Sequence, residues 1–104
     1  MEVMVANFWR EILGLDQIGK HDNFFALGGD SLRAAQVVVR LVKALNFEIP
    51  LILIFQMPTV SQLAAELVRL QEEEREVLAL ISELQKLPAE EAARLLQEGL
   101  GDKR

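Results

Sequence analysis

The sequence contains no cysteine and only one histidine, His21, among its 104 residues. Without cysteine, the chain has no disulfide, no thiolate ligand for zinc and no cysteine nucleophile. Any thiol chemistry therefore needs a thiol that is supplied from outside the chain. With a single histidine, a nucleophilic serine would have only His21 as a candidate histidine base.

The sequence also lacks long hydrophobic runs and an excess of basic residues. No run of about 18 apolar residues is present, and the N-terminus lacks the basic and then hydrophobic order of a secretory signal peptide. The formal net charge is −5 at pH 7, which provides no basic surface for nucleic acid or for an anionic membrane. We therefore expect a cytoplasmic protein with no nucleic-acid partner and no membrane partner.

The acidic residues are concentrated in the last third of the chain. Residues 1–70 contain seven acidic and six basic residues, whereas residues 71–104 contain nine acidic and five basic residues. A chain of this length has room for one domain and a short extension. We predict a domain at residues 1–70 and an acidic helical tail at residues 71–104.

Two long helices are predicted in the first half of the chain by apolar residues at helical spacing. The first runs from Val3 to Leu13 and ends at Gly14, and the second begins at about Ser31 and ends at Asn46. The apolar stripe of the second helix is broad and contains Leu32, Ala35, Val38, Val39, Leu41, Val42 and Leu45. Its opposite face is basic.

Two further helices are predicted after Pro50. The apolar run from Leu51 to Phe55 is interpreted as a short helix, because the sequence offers no partner strand. Thr59 and Gln62 have the spacing of a capping box and mark the start of a longer helix. We expect its buried face to contain Val60, Leu63, Ala64, Leu67 and Val68. The predicted fold class is all-α, a small four-helix bundle with a C-terminal helical extension.

The segment between the first two long helices, residues 15–30, has no steady apolar period and contains Gly19, Gly28 and Gly29. Connections of this length are uncommon in compact domains unless they are functional. Its apolar residues indicate a loop that is pinned onto the core: Ile18, Phe24, Phe25 and Leu27.

The end of this loop, Gly-Gly-Asp-Ser-Leu at residues 28–32, allows three interpretations of Ser31. In the first, Asp30 or Ser31 only caps the second helix. In the second, residues 29–32 are the G-D-S-L block of a family of serine hydrolases. That chemistry needs a base, an orienting acid and an oxyanion hole, but His21 lies ten residues before Ser31 and a helical pattern cannot supply the α/β sheet.

In the third interpretation, Ser31 is a covalent attachment site. A serine in the first turn of a helix, after two glycines, has no bulky neighbours, and the backbone N–H groups of the helix N-terminus favour a phosphate ester. Such a site needs no base of its own if another enzyme activates the hydroxyl. The absence of a second histidine is then no objection.

The residues around Ser31 resemble the thiolation, or peptidyl carrier, domains of nonribosomal peptide synthetases. The resemblance is carried by "IGKHDNFFALGGDSLRAAQVVVRL", with "NFWREILGL" before it and "IPLILIFQMPTVSQLAAEL" after it, and covers about Val5 to Leu70. It implies a four-helix bundle with a long first loop and a short third helix. It further implies that Ser31, flanked by Gly29, Asp30 and Leu32, carries 4′-phosphopantetheine, which a separate phosphopantetheinyl transferase adds from coenzyme A.

The resemblance also implies a carrier that is not itself an enzyme. The thiol at the end of the arm would hold aminoacyl or peptidyl groups as thioesters, which explains how a chain without cysteine takes part in thiol chemistry. The implied partners are adenylation and condensation domains, together with epimerisation or thioesterase domains. Asp30 stands where many such carriers have histidine, and this one residue does not identify the neighbouring domain.

Two alternatives remain open. Fatty-acid carriers share the Asp-Ser-Leu core but typically continue with a strongly acidic helix, whereas Arg33, Arg40 and Lys43 occupy the helix here. The peptidyl type is therefore favoured, although a polyketide-type acyl carrier is not excluded. The other alternative is a helical protein–protein interaction module that carries no arm.

A carrier that several enzymes handle in turn needs small and reversible contacts. We expect partner contacts at Leu32, Arg33 and Gln36 of the second long helix and at Phe55 and Met57 near the short helix. The alternative for Leu32, Phe55 and Met57 is ordinary core packing, since apolar residues at helical spacing usually face inward. The alternative for Arg33 is a solvated helix face.

The tail contains "LQKLPAEEAARLLQE", which resembles the Leu/Glu-rich segments that follow carriers at some subunit ends and dock on the next polypeptide. In that case Leu95 and Leu96 would enter a groove of the partner. One alternative is that the tail is a plain linker. Another is that the segment from Val77 to Leu87 folds back on the bundle or pairs with a second copy. We expect two tail helices, one after the charged residues 71–76 and one that starts at Pro88.

Overall fold

The computed structural model describes residues 1–91, 93, 94 and 97. Four helices have the bounds α1 Glu2–Leu13, α2 Ser31–Leu45, α3 Ile52–Gln56 and α4 Val60–Gln85. Residues 89–91, 93, 94 and 97 are also helical. Over this part of the chain no strand forms, and an isolated antiparallel bridge joins Asn23 to Thr59. The predicted all-α class with a small helical bundle is confirmed.

The helix ends lie where local sequence signals predict them. Gly14 and Asn46 have left-handed backbone conformations, with φ of 69° and 59°, and the N–H of each donates back to its own helix. At the start of α4, the Thr59 Oγ1 accepts a hydrogen bond from the Gln62 N–H at 3.2 Å. The Gln62 Oε1 accepts from the Thr59 hydroxyl, so the return contact of the capping box is made to the side chain.

The core is built from all four helices and from the long first loop. Trp9 of α1 meets Phe24 of the loop edge to face, with ring centroids 4.8 Å apart. The largest fully buried side chains are Trp9, Phe24, Leu41, Ile54, Leu63, Leu67, Val5, Val37 and Val60. Because Phe24 is among them, the loop is part of the hydrophobic core, as its apolar residues predict.

The face that α2 buries differs from the predicted stripe. The buried residues are Ala34, Val37 and Leu41, whereas Leu32 is 69% exposed and Val39 is 51% exposed. Because apolar residues occupy two adjacent sides of this helix, their periodicity alone does not determine which side faces the core. The prediction for Val68 of α4 was also wrong, since this side chain is 38% exposed.

Helix α4 is longer than the sequence pattern predicts. The charged residues 71–76 lie inside it, so the predicted break between two helices at this segment is wrong. Glu, Gln and Arg are strong helix formers, and no glycine or proline interrupts the chain between Pro58 and Pro88. The helix ends at Gln85, shortly before Pro88, in agreement with the effect of proline on the preceding residues.

The chain divides into two compact units, Met1–Glu72 and a second that begins at Glu73. In the second unit, Val77, Leu80 and Ile81 of α4 are exposed. Leu95 and Leu96, the predicted docking residues, lie outside the described residues. None of the helices that the structure describes combines the length and the hydropathy that a bilayer span requires.

Candidate functional site

The loop that leads to Ser31 is closed by its own hydrogen bonds and tied to the start of α4. The side chain of Asn23 accepts hydrogen bonds from the N–H groups of Phe25 and Ala26 at 2.9 and 3.2 Å. The Phe24 N–H donates to the carbonyl oxygen of Pro58 at 2.7 Å. These contacts hold the Phe24 ring in the core while the following residues return to the surface.

The two glycines before Asp30 meet different requirements. Gly28 has a φ of 104°, a conformation that residues with a side chain rarely adopt. Gly29 donates its N–H to the Phe24 carbonyl oxygen at 3.0 Å, and a Cβ atom at Gly29 would lie 2.3 Å from Cε2 of the Phe24 ring. The sequence suggests that the glycines keep Ser31 free of bulky neighbours. The structure adds a second reason for Gly29: the buried Phe24 ring leaves no room for a side chain at this position.

Asp30, and not Ser31, is the N-cap of α2. Its backbone is extended, its Oδ1 accepts a hydrogen bond from the Arg33 N–H at 2.8 Å, and its carbonyl oxygen accepts from the Ala34 N–H at 2.8 Å. Ser31 is the first residue of the helix and is exposed. None of the hydrogen bonds found among the described residues involves the Ser31 hydroxyl. Because Ser31 is exposed at the start of the helix, another enzyme can reach this residue.

The side chain of Arg33 bends back toward the residues that precede Ser31. Its Nη1 donates to the carbonyl oxygen of Gly28 at 3.2 Å and lies 3.3 Å from Oδ2 of Asp30. The side chain is 46% exposed. A cation and the N-terminal end of α2 thus lie close to Ser31, an arrangement that favours a negatively charged group.

The apolar residues predicted for partner contact have different environments. Leu32 is largely exposed, so the core-packing alternative for this residue is wrong. Phe55 of α3 is 41% exposed, and its ring stacks on Phe25 of the loop with centroids 4.9 Å apart and 21° between the planes. Met57 is partly buried and packs against the core. Sequence reasoning did not find this stacked pair, because it joins residues that are far apart in the chain.

Gln36 lines an open groove between α1 and α2 with a volume of about 590 Å³. Arg40, in the same groove, pairs with Glu11 of α1, and its guanidinium carbon lies 6.0 Å from the centre of the Phe8 ring. Both Gln36 and Arg40 are exposed. No group of three or more potential metal ligands occurs among the residues that the structure describes.

A family model described as "Phosphopantetheine attachment site" matches residues 5–67, which include every element of this site. The chain belongs to that family. The carrier domain is 46% identical over 69 residues to tyrocidine synthase 3 of Brevibacillus parabrevis and 45% identical over 64 residues to gramicidin S synthase 2 of Brevibacillus brevis. These matches cover 66% and 62% of the chain but only 1% of the length of each relative.

Two solved structures also resemble the carrier domain. One is a complex of the phosphopantetheine transferase Sfp with coenzyme A and a peptidyl carrier protein, with a TM-score of 0.63, 35% identity, and coverage of 65% of this chain and 88% of that one. The other is the solution structure of a non-covalent extended docking domain complex of the Pax nonribosomal peptide synthetase, with a TM-score of 0.69, 30% identity and 84% coverage of each chain. The predicted peptidyl carrier family is confirmed, and so is 4′-phosphopantetheine as its prosthetic group.

The residues present fit such a group. Ser31 offers an exposed hydroxyl, the first turn of α2 offers N–H groups, and Arg33 offers a partly exposed guanidinium. These are the donors that a phosphodiester prefers. The serine hydrolase interpretation of Ser31 is not supported, because the described residues form no sheet that could position a base and an oxyanion hole.

Proposed function

We propose that Ser31 is the attachment residue of a carrier domain at residues 1–70, which holds aminoacyl or peptidyl groups as thioesters on 4′-phosphopantetheine. The observation that carries the proposal is the exposed Ser31 hydroxyl at the first residue of α2, inside the segment that matches the family. The domain catalyses no step itself. Its contribution is to bind the arm, to orient it away from the core and to present the load to partner domains.

The attachment reaction needs a phosphopantetheinyl transferase. The Ser31 Oγ forms a bond to the pantetheine-side phosphorus of coenzyme A, the phosphoanhydride bond breaks, and the nucleotide half leaves with its phosphate. The hydroxyl proton passes to a base of the transferase. In this step Asp30 keeps the first turn of α2 closed by its cap, and the N–H groups of that turn stabilise the charge of the new phosphodiester.

The surface around Ser31 suits brief contact with several enzymes. Leu32, Arg33 and Gln36 are exposed on α2, Phe55 is exposed on α3, and Met57 follows it. Adenylation, condensation and epimerisation or thioesterase domains are the proposed partners. A patch of this small size matches the reversible contacts that a shared carrier requires.

Incubation of the protein with coenzyme A, magnesium and a broad-specificity transferase, followed by intact-mass measurement, tests the proposal. The expected result is a single pantetheinyl mass gain that is lost in Ser31→Ala and kept in Ser82→Ala. Ser82 is a matched control because it is also an exposed helical serine, in α4. A well-folded wild-type protein that gains no mass would favour the interaction module without an arm.

For the tail, we propose a docking segment that binds the next polypeptide of the assembly line. Two observations support it. The match to the Pax docking domain complex covers 84% of this chain, a larger share than residues 5–67. Apolar residues of the second unit, among them Val77, Leu80 and Ile81, are exposed on a helix rich in acidic residues.

Deletion of residues 88–104 tests the docking proposal. The shortened protein is expected to accept the arm on Ser31 as fast as the full chain but to transfer its load more slowly to the downstream polypeptide. Addition of the downstream polypeptide in large excess should restore the transfer rate, because a high concentration of the partner compensates for weaker binding. Equal transfer rates at low concentration would contradict a docking role for residues 88–104.

A further inference from the structure

The guanidinium of Arg33 has donors that remain available for a ligand at Ser31. Arg33 follows Ser31 in the chain, yet its side chain contacts Gly28 and Asp30, which precede Ser31. It therefore extends past the N-terminus of α2. A guanidinium has five N–H donors, and the side-chain bonds found in the described part of the chain use Nη1 alone. Nη2 and Nε remain, on a side chain that is about half exposed.

The position of Asp30 creates an electrostatic problem for an arm on Ser31. A phosphodiester carries one negative charge, and on the Ser31 Oγ it would stand next to the exposed carboxylate of Asp30. Asp30 cannot turn away without loss, because its Oδ1 caps the helix through the Arg33 N–H. The helix N-terminus attracts both anions, but their mutual repulsion remains unless a cation lies between them.

We infer that Arg33 is a ligand of the phosphodiester on Ser31 and that it offsets the repulsion between this diester and the Asp30 carboxylate. The inference rests on the proposed function, since the diester exists only if Ser31 bears the arm. Arg33 already touches Asp30 and lies two residues from Ser31. Its planar donors match a phosphate oxygen pair better than the point charge of a lysine does.

A purely structural role for Arg33 makes a different prediction. If Arg33 only strengthens the Asp30 cap by a surface ion pair, its replacement destabilises the protein by the same small amount with or without the arm. If Arg33 binds the diester, its replacement destabilises the arm-bearing protein more. The comparison of the two forms of each variant therefore separates the two roles.

The experiment compares the melting temperatures of the full chain with and without the arm. Four proteins are measured: wild type, Arg33→Gln, Arg33→Lys and Arg40→Gln. Intact-mass measurement verifies that the arm is attached. Arg40→Gln is the matched control, because it removes the same charge from α2 at a residue that pairs with Glu11 instead. For wild type and Arg40→Gln we expect nearly equal melting temperatures with and without the arm. For Arg33→Gln we expect the arm to lower the melting temperature by about 2–4 °C. For Arg33→Lys we expect a smaller decrease.

Two further readouts complete the test. In the wild type, the NMR signal of the Arg33 Nε–H is expected to shift when the arm is attached, while the Arg40 signal does not. In the double variant Asp30→Asn with Arg33→Gln, the arm should no longer lower the melting temperature, because one of the two anions is gone.

The inference alone is overturned if the arm changes the melting temperature equally in wild type and Arg33→Gln and leaves the Arg33 signal unchanged. Absence of any mass gain in the wild type overturns the proposed function and this inference together.

Discussion

Gly29 lies directly against the ring and the carbonyl group of Phe24. An added Cβ atom would be 2.3 Å from Cε2 of the ring and 2.7 Å from the carbonyl oxygen. Phe24 is fully buried and packs against Trp9. The chain just before the Asp30 cap and Ser31 is therefore in contact with the core.

Replacement of Gly29 by alanine should destabilise the domain by about 1–3 kcal/mol, the usual range for an overpacked site. Urea denaturation measures this loss. Gly19→Ala is the control in the same loop, because the atoms nearest to the added methyl group belong to the Asp22 side chain, with Oδ2 at 3.1 Å, and not to a ring or to the backbone. Equal losses in the two variants would contradict the close contact with Phe24.

The stacked rings of Phe25 and Phe55 join the loop to α3, and we expect them to be energetically coupled. A double-mutant cycle with Phe25→Leu and Phe55→Leu should give a coupling energy of about 0.5–1 kcal/mol, the lower part of the range for aromatic pairs, because both rings are partly exposed. A cycle between Phe25 and the exposed Leu32 supplies the control. Additive losses in the first cycle would show that the rings stack without stabilising each other.

Glu66 supplies a test of the electrostatics of α4. A side-chain hydrogen bond from Arg69 lowers the pKa of Glu66 below its ordinary value of 4.5. Because the folded pKa is the lower one, this contact contributes stability above pH 4.5, and the contribution is lost as the pH falls through the folded pKa. In Arg69→Gln, NMR titration should find the Glu66 pKa closer to 4.5, whereas Arg75→Gln should leave it unchanged. An unchanged pKa in Arg69→Gln would exclude the hydrogen bond as its cause.

Helix ends were predictable from the sequence because their causes are local. Gly14 and Asn46 adopt left-handed conformations that end helices, and Thr59 caps α4 through a residue three positions away. The orientation of α2 was not predictable in the same way. Its apolar residues form two adjacent stripes, and which stripe is buried depends on tertiary packing against the rest of the core.

Ser31 could be proposed as the attachment residue from local sequence alone. Ser31 stands in a short segment with a recognisable order of residues, so its candidate role needed no tertiary information. The contact of Gly29 with Phe24 and the return of Arg33 to Gly28 depend on how the loop folds over the core. Periodicity carries no information about such contacts. The length of α4 was not predictable from polarity, because a charged segment such as residues 71–76 can either end a helix or extend it.

The most direct test of the account is the location of the pantetheinyl group after reaction with coenzyme A and a transferase. Trypsin cleavage after Lys20 and Arg33 releases residues 21–33, in which Ser31 is the only hydroxyl-bearing residue. If Ser31 bears the arm, the full mass gain lies on this peptide and the peptides with Ser61 and Ser82 are unmodified. A folded protein that stays unmodified, or a mass gain on either of those other peptides, would contradict it.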